Sequence, residues 1–292
     1  MATIGRGRGR GRGGVLKALQ DEKPGQNASA SPVSGAHSQA SGAGSPVAVA
    51  TTKLEATAIG QHEDATAKLD VIITSMESMT ESEMLSKIPS EIQKIKSADN
   101  MKEFVNLLCK KSLKEPDFAV SAARLCNELW NDNELKSLVK APLLAAVQNN
   151  YKKRDKFKKK KTEKFFGLCV LLCELYKVLR IKDRPLCPLT SPVCQMLKEL
   201  IEQPTQISSE DVFYFYQELE SVGQIIQNED QNKMDDIINT ARQIAISSQN
   251  LSPAVRCRLI QLIELHAANW KMSDELIVMY EDLQQDLLCQ ES

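Results

Sequence analysis

Residues 208–227, SSEDVFYFYQELESVGQIIQ, carry the clearest periodic pattern in the chain. Apolar side chains recur every three or four residues, which places them along one face of an α-helix. Ser208 precedes the pattern and Asp211 follows three residues later, a spacing at which a hydroxyl and a carboxylate cap the first turn of a helix. The segment therefore predicts an amphipathic helix whose stripe consists of Val212, Phe215, Tyr216, Leu219, Val222 and Ile226.

Similar stripes recur on both sides of this segment. Clear ones cover 117–130, 252–269 and 273–289, and the last two begin at the capping residues Ser252 and Ser273. No segment alternates with a period of two and no Asn-Gly or Asp-Gly turn joins two apolar runs, so we predict an all-α fold. About ten consecutive helices with short connections fit five antiparallel pairs of an α-solenoid, with a compact bundle as the alternative. Weaker stripes cover 83–96, 100–114, 134–150, 162–181, 190–203 and 230–248.

The first 65 residues differ in composition from the rest of the chain. Eleven of the 13 glycines precede residue 61, and the segment is otherwise rich in Ala, Ser, Thr and Pro without a large apolar cluster. Such a segment buries too little apolar surface to offset the entropy of ordering its backbone. We therefore expect residues 1–65 to form a disordered Arg-Gly-rich and Ala-Ser-rich tail, and residues 66–292 to form the helical domain.

Charge is distributed unevenly along the chain, although the net charge is only −1. Residues 1–60 carry seven basic and three acidic side chains, whereas Lys152–Lys164 carries nine basic and two acidic ones. The remainder of the predicted domain is strongly acidic. This balance argues against nucleic acid wrapping around the whole domain and favours a local basic site.

Neither catalysis nor a cofactor is expected. The chain has no G-x-S-x-G, H-E-x-x-H, Walker-type or dinucleotide-binding motif. Its eight cysteines form no C-x-x-C pair and it has three histidines, so zinc-ligand spacing is absent. The thiols are predicted to be reduced and mostly buried. An Arg-Gly N-terminus does not read as a secretion signal, and no apolar run is long enough to cross a bilayer, so no membrane association is expected.

Four segments together resemble the middle domain of eukaryotic initiation factor 4G, the MIF4G-type HEAT-repeat domain. They are Phe166–Tyr176, Leu219–Gly223, Lys233–Asp236 and, most specifically, Arg256–Trp270, which is similar to the Leu-x-Leu-Arg-x-x-x-Trp signature that closes the last repeat. Ala122–Leu129 resembles the equivalent helix of poly(A)-binding-protein-interacting and cap-binding-complex-dependent translation factors. These relatives also have a charged insertion between the fourth and fifth helices, where Lys152–Lys164 falls.

The resemblance implies a non-catalytic scaffold in translation regulation that binds a DEAD-box helicase or translation initiation factors. His266 stands where the family often has Arg, and two alanines follow in place of polar residues. Residues 1–80 lack a Pro-x-x-x-Glu-Phe-x-Pro-type segment, and we expect no acidic tail after the last helix. Direct contact with poly(A)-binding protein is therefore not expected. A cytoplasmic location is predicted, and an additional nuclear location stays open.

Two basic segments are candidate RNA-binding sites. The Arg-Gly tract could pair its guanidinium groups with phosphates and stack them on bases, although a solubilising tail has the same composition. The segment 152–164 could bind mRNA phosphates, dock an acidic protein or act as a nuclear import signal, or it could be a solvated loop. Any mRNA binding should be weak and electrostatic. The candidate residues are Arg6, Arg8, Arg10, Arg12, Lys152, Lys153, Arg154, Lys156, Lys158, Lys159, Lys160, Lys161 and Lys164.

Four aromatic residues, Phe213–Tyr216, are concentrated on one predicted helix. Two of them should face the core, and Tyr214 is the candidate partner-binding residue on the outside. Two alternatives to the translation scaffold stay open at this point. One is an RNA-binding protein that acts mainly through the basic loop and the tail. The other is a protein–protein adaptor in mRNA processing or decay without direct RNA contact.

Overall fold

The computed structural model describes residues 67–160, 162–202 and 207–291, and within them the chain is almost entirely helical. All ten predicted helices are present, and two further helices, α1 and α6, accompany them. The helices are α1 (67–75), α2 (Glu81–Lys94), α3 (Ala98–Ser112), α4 (Pro116–Asn131), α5 (Lys136–Tyr151), α6 (Arg154–Lys160), α7 (Thr162–Val178), α8 (Thr190–Ile201), α9 (Ser209–Glu229), α10 (Gln231–Ser247), α11 (Pro253–Ala267) and α12 (Asp274–Glu291).

The predicted helix starts are confirmed by their hydrogen bonds. At the start of α9 the Ser208 hydroxyl accepts from the Asp211 N–H at 3.0 Å, and the Asp211 carboxylate accepts from the Ser208 N–H at 3.0 Å. Ser252 caps α11 by accepting from Val255 at 3.3 Å, with a proline in the first turn. These side chains satisfy backbone donors that have no partner inside the helix.

The helices form two layers of an α-solenoid. In the first layer α2, α4, α7, α9 and α11 contact one another in that order. In the second layer α3 contacts α5, and α8 contacts α10. Each first-layer helix from α4 to α11 also contacts the second-layer helix that follows it, as in α4–α5, α7–α8, α9–α10 and α11–α12. Contacts thus run between sequence neighbours, which confirms the solenoid of about five pairs over the compact bundle.

Helix α7 is the most deeply buried helix of the domain. Every residue from Phe165 to Tyr176 is buried, which agrees with its nearly continuous apolar sequence. Gly167 allows α7 to approach the end of α3, because a Cβ atom there would lie 2.5 Å from the carbonyl oxygen of Ser112. The first segment of the family resemblance therefore coincides with the centre of the core.

Two other segments of the resemblance meet in space. Helix α11 ends with Asn269 and Trp270 in left-handed backbone conformation, and the Trp270 N–H donates to the carbonyl of Leu265 at 2.8 Å. This turn places the Trp270 ring on Gly223 of α9, where an added Cβ would lie 2.0 Å from the ring. The indole N–H donates to the side chain of Gln227 at 2.6 Å. Trp270 is thus a packing residue, and so is the buried Trp130.

The structure differs from the sequence prediction at two places besides α6. Helix α1 contributes Leu69 and Ile73 to the core ahead of the first predicted stripe. A short hairpin pairs Arg180–Ile181 with Arg184–Pro185, although no strand was predicted. Its turn holds Lys182 and Asp183 at positive φ, so a two-residue turn forms here without glycine or asparagine. Within the described residues no helix is long and apolar enough to span a membrane.

Candidate partner-binding surfaces

The basic segment 152–164 is largely helical, not the loop that its composition suggested. Helix α6 spans Arg154–Lys160 between α5 and α7 and packs along α7. Phe157 packs against the core from this helix. The interpretation of the segment as a basic loop or a solvated loop is therefore wrong, since the segment presents its lysines from an ordered surface.

One side of α6 is tied to α8. The Arg154 guanidinium donates to the Glu199 carboxylate at 3.1 Å and lies over the Tyr151 ring at 4.6 Å. Lys158, one turn later, donates to the main-chain carbonyl of Glu199 at 2.5 Å and lies 5.6 Å from the centre of the Phe165 ring. Both side chains are thus engaged in contacts within the fold, and their role in RNA binding stays a prediction.

The other side of α6 is exposed. Five lysines have exposed side chains, two of them in the turn before α6 and three on α6 itself. Lys164 is half-buried on α7, and the side chain of Lys161 lies outside the described part of the chain. The exposed set, called here the basic face, consists of Lys152, Lys153, Lys156, Lys159 and Lys160.

The Arg-Gly tract with Arg6, Arg8, Arg10 and Arg12 lies outside the described residues, as does the rest of the predicted tail. Its predicted role in RNA contact therefore stays a prediction.

Tyr214, the predicted outward-facing aromatic residue, is half-buried. Its ring stacks on Phe166 of α7 with centroids 4.5 Å apart and an interplanar angle of 20°. Its neighbour Phe213 is the exposed ring of the cluster, with 54% of its surface accessible, and it meets Tyr214 edge-on at 5.5 Å. Phe215 is fully buried, as the stripe predicted. Tyr214 thus holds α9 against α7 while one side of it stays accessible.

Beside Tyr214 lies a cleft that was not predicted from the sequence. It has a volume of about 330 Å³ and is bounded by the first turns of α4 and the middle of α7 and α9. Its charged lining comprises four carboxylates and a single ammonium group, that of Lys177. We call it the acidic cleft; its lining carboxylates are Asp117, Glu174, Glu218 and Glu220.

Two of these carboxylates are almost completely buried. Glu174 is 5% exposed and Glu218 is 4% exposed. Lys177 donates to Oε1 of Glu174 at 3.0 Å, whereas the Oε2 atoms of both glutamates have no hydrogen-bond partner. Burial, together with the nearby charge of Glu174, raises the pKa of Glu218 to about 7. The neutral, protonated form of Glu218 is therefore favoured up to about pH 7.

Metal binding does not explain these carboxylates. In the described parts of the chain no group of three or more His, Cys, Asp or Glu side chains is placed to hold a metal ion. The eight cysteines are free, and six of them are buried, which confirms the prediction of mostly buried thiols. Burial raises the pKa of the Cys109 thiol to about 12, so it is unreactive at neutral pH.

The burial of Glu218 could have been predicted from its position in the helical pattern. Glu218 lies three residues after Phe215 and four before Val222, so helical spacing places it at the edge of the buried stripe. Glu174 lies on α7, which is apolar on all its faces, so a polar residue in this helix is expected to be buried. Both positions could have been identified from spacing, but their convergence required the packing of α7 against α9.

Comparison with known proteins identifies the domain. The MIF4G domain profile matches residues 56–269. The MIF4G domain-containing protein B of Danio rerio is 24% identical over 178 residues, which is 60% of this chain and 80% of that protein. The human MIF4G domain-containing protein is 23% identical over 177 residues, with the same coverage. The CBP80/20-dependent translation initiation factor of Xenopus tropicalis is 25% identical over 220 residues, 73% of this chain and 37% of that factor. The chain belongs to the MIF4G domain family.

Proposed function

We propose that this chain is a non-catalytic adaptor in translation regulation, whose helical domain binds a DEAD-box helicase or an initiation factor while its basic segments associate with mRNA. The observation that carries this proposal is the match to the MIF4G domain over residues 56–269, together with similarity to a translation initiation factor. A tethering mechanism suits such a chain, because binding two partners at once raises their local concentration. We place this activity in the cytoplasm.

The distribution of charge supports a division of labour between surfaces. The basic face lies on α6 and the turn before it, beside second-layer helix α8, whereas the acidic cleft lies between first-layer helices. Phosphate groups would be attracted to the former and repelled by the latter. We therefore assign mRNA contact to the basic face and the Arg-Gly tract, and protein contact to the remaining solenoid surface.

The first test is an affinity capture from cell extract with the tagged full chain, with and without ribonuclease. Retention of a DEAD-box helicase or initiation factors after ribonuclease treatment supports the adaptor proposal. If every retained protein is lost with the RNA, the chain acts mainly as an RNA-binding protein. If protein partners remain but none belongs to translation, the processing or decay adaptor is favoured instead.

The contribution of the basic face is tested by RNA binding in vitro. Changing Lys156, Lys159 and Lys160 to Gln should weaken binding to a single-stranded RNA and reduce the slope of log K against log salt by about 2, since each phosphate contact contributes about 0.7. A matched variant removes three exposed lysines elsewhere, at positions 102, 136 and 271. Equal losses in both variants would show that only overall charge matters and that α6 is not the RNA-binding site.

A further inference from the structure

The second layer of the solenoid is interrupted between α5 and α8. Helix α3 packs on α5 and α8 packs on α10, whereas among the described helices α5 and α8 are barely in contact. Helix α6 fills one end of this gap, where it packs on α7 and binds Glu199 of α8. The other end is an open groove of about 580 Å³, called here the α5–α8 groove, with Leu172 of α7 between its two walls.

The walls of the α5–α8 groove are apolar although they are accessible to solvent. The wall on α5 is one exposed stripe at helical spacing, which consists of Ala141, Leu144, Ala145 and Gln148. The opposite wall carries Pro188 and Pro192 at the start of α8. A second-layer helix ordinarily turns polar residues to solvent, so an exposed apolar stripe beside an open groove indicates an interaction surface.

The chemistry of the groove favours a helical segment of a protein as its occupant. Its lining contains no charged side chain, which a phosphate-bearing ligand or an RNA strand would require. An extended peptide would need the unpaired main-chain groups of a sheet edge, and helices form the walls here. An α-helix satisfies its own main-chain hydrogen bonds and presents apolar side chains on one face, so it can lie in an apolar groove.

The charges beside the groove favour an acidic segment. Residues 136–154, which comprise α5 and the start of α6, contain five basic side chains and no acidic one. Lys152 and Lys153 are exposed and directly follow Tyr151, which lines the groove at the end of α5. The charge of Arg154 is compensated by Glu199, whereas these two lysines can attract a carboxylate from outside the domain. The rest of the domain is strongly acidic, so this attraction is specific to the α5–α6 region.

We infer that the α5–α8 groove binds an amphipathic helix of a partner protein, which carries acidic residues at the end next to Lys152 and Lys153. This inference rests on the proposed adaptor function and names the chemistry of one partner segment. The bound helix completes the second layer between α5 and α8 and places its apolar side against Leu144. Its acidic end uses two lysines of the basic face, so RNA bound to that face competes with it.

The test begins with a phage-displayed library of random peptides of about 16 residues, long enough to form a helix, selected against the tagged full chain in the absence of RNA. Enriched peptides are synthesised with a fluorescent label, and their affinity is measured by fluorescence anisotropy. We expect apolar residues at positions i, i+3, i+4 and i+7 and acidic residues at one end. Enrichment of peptides without acidic residues, or of no peptide, would overturn the inference.

Matched variants of the groove wall locate the bound peptides. Leu144→Gln should weaken binding about tenfold, because it removes an accessible apolar contact at the centre of the stripe. Ile246→Gln changes another exposed aliphatic residue of the second layer, on α10, and should alter the affinity by less than about twofold. Equal effects of the two variants would place the peptides outside the groove and overturn the inference.

A second pair of variants tests the contribution of charge. Changing both Lys152 and Lys153 to Gln should weaken binding about tenfold at low salt and much less at high salt, because exposed charges are screened. Changing Lys102 and Lys271 to Gln removes the same charge at exposed positions elsewhere and should have little effect. An affinity that falls equally in both double variants would reduce the attraction to net charge and overturn the acidic part of the inference.

Other occupants of the groove give different results. Self-association of the wild-type chain in sedimentation velocity that is lost in Leu144→Gln would identify a second copy and overturn the inference. Peptide binding that appears only after Val15, Leu16 and Leu19 are changed to Ser would identify the chain's own N-terminal segment, with the same consequence. The selection needs no cellular partner, so its failure would leave the adaptor proposal standing if helicase or initiation-factor capture succeeds.

Discussion

Glu218→Gln should stabilise the domain, and more so at alkaline pH. The folded protein holds the pKa of Glu218 at about 7, against an ordinary value of 4.5, because of burial and the neighbouring Glu174. A carboxyl group with a raised pKa in the folded state contributes full stability below its unfolded pKa, and this contribution falls as pH rises towards the folded pKa. Wild-type stability should therefore decline between about pH 4.5 and pH 7.

The magnitude follows from the size of the shift, at about 1.4 kcal/mol for each pH unit. Because Glu218 ionises more readily in the unfolded than in the folded state, it lowers the free energy of unfolding by about 1 kcal/mol at about pH 5 and by about 3 kcal/mol at pH 8. An isosteric amide does not ionise, so Glu218→Gln should gain about 2 kcal/mol more over wild type at pH 8 than at pH 5. The difference between two pH values removes effects of the amide that do not depend on ionisation.

Urea unfolding monitored by circular dichroism at both pH values measures these free energies. Asp286→Asn serves as the control, and as an exposed substitution it should change the free energy of unfolding by less than about 0.5 kcal/mol. A Glu218→Gln variant with the same stability relative to wild type at pH 5 and pH 8 would refute the reasoning. So would a variant that loses more stability at pH 8, since that would mean the ionised carboxylate is already paired.

Three further predictions concern packing and stability, and all use urea unfolding. Gly223→Ala should destabilise the domain by about 1–3 kcal/mol because the added methyl group collides with Trp270, whereas helix propensity alone would stabilise it; a gain in stability would contradict the observed contact. Arg256→Lys should lower the free energy of unfolding by about 2 kcal/mol, because the guanidinium donates to two carbonyls at the end of α10, one of them at 2.7 Å. An unchanged urea midpoint would show that lysine replaces both hydrogen bonds. Arg154→Gln should lower the free energy of unfolding by about 1 kcal/mol, because the hydrogen bond to Glu199 is lost. The exposed Lys159→Gln should change it by less than about 0.5 kcal/mol. Equal effects of the two variants would mean that α6 has no side that packs against the domain.

The ten main helices could be predicted from the sequence because each carries apolar side chains at helical spacing, which form one buried face. Their order and short connections were enough to favour a solenoid. Helix α6 was missed because seven residues rich in lysine have no such stripe, and its order comes from Arg154 and Lys158 reaching α8. The hairpin at 180–185 was missed because strands of two residues are too short to show a period.

The candidate sites were less accessible to sequence reasoning. Tyr214 was selected as an outward aromatic residue, but its stacking on Phe166 depends on how closely α9 approaches α7, which no local pattern specifies. The acidic cleft depends on the same approach, since Glu174 and Glu218 lie 44 positions apart in the chain. Helical spacing indicates that each of these carboxylates is buried, but only tertiary packing shows that they share one buried space.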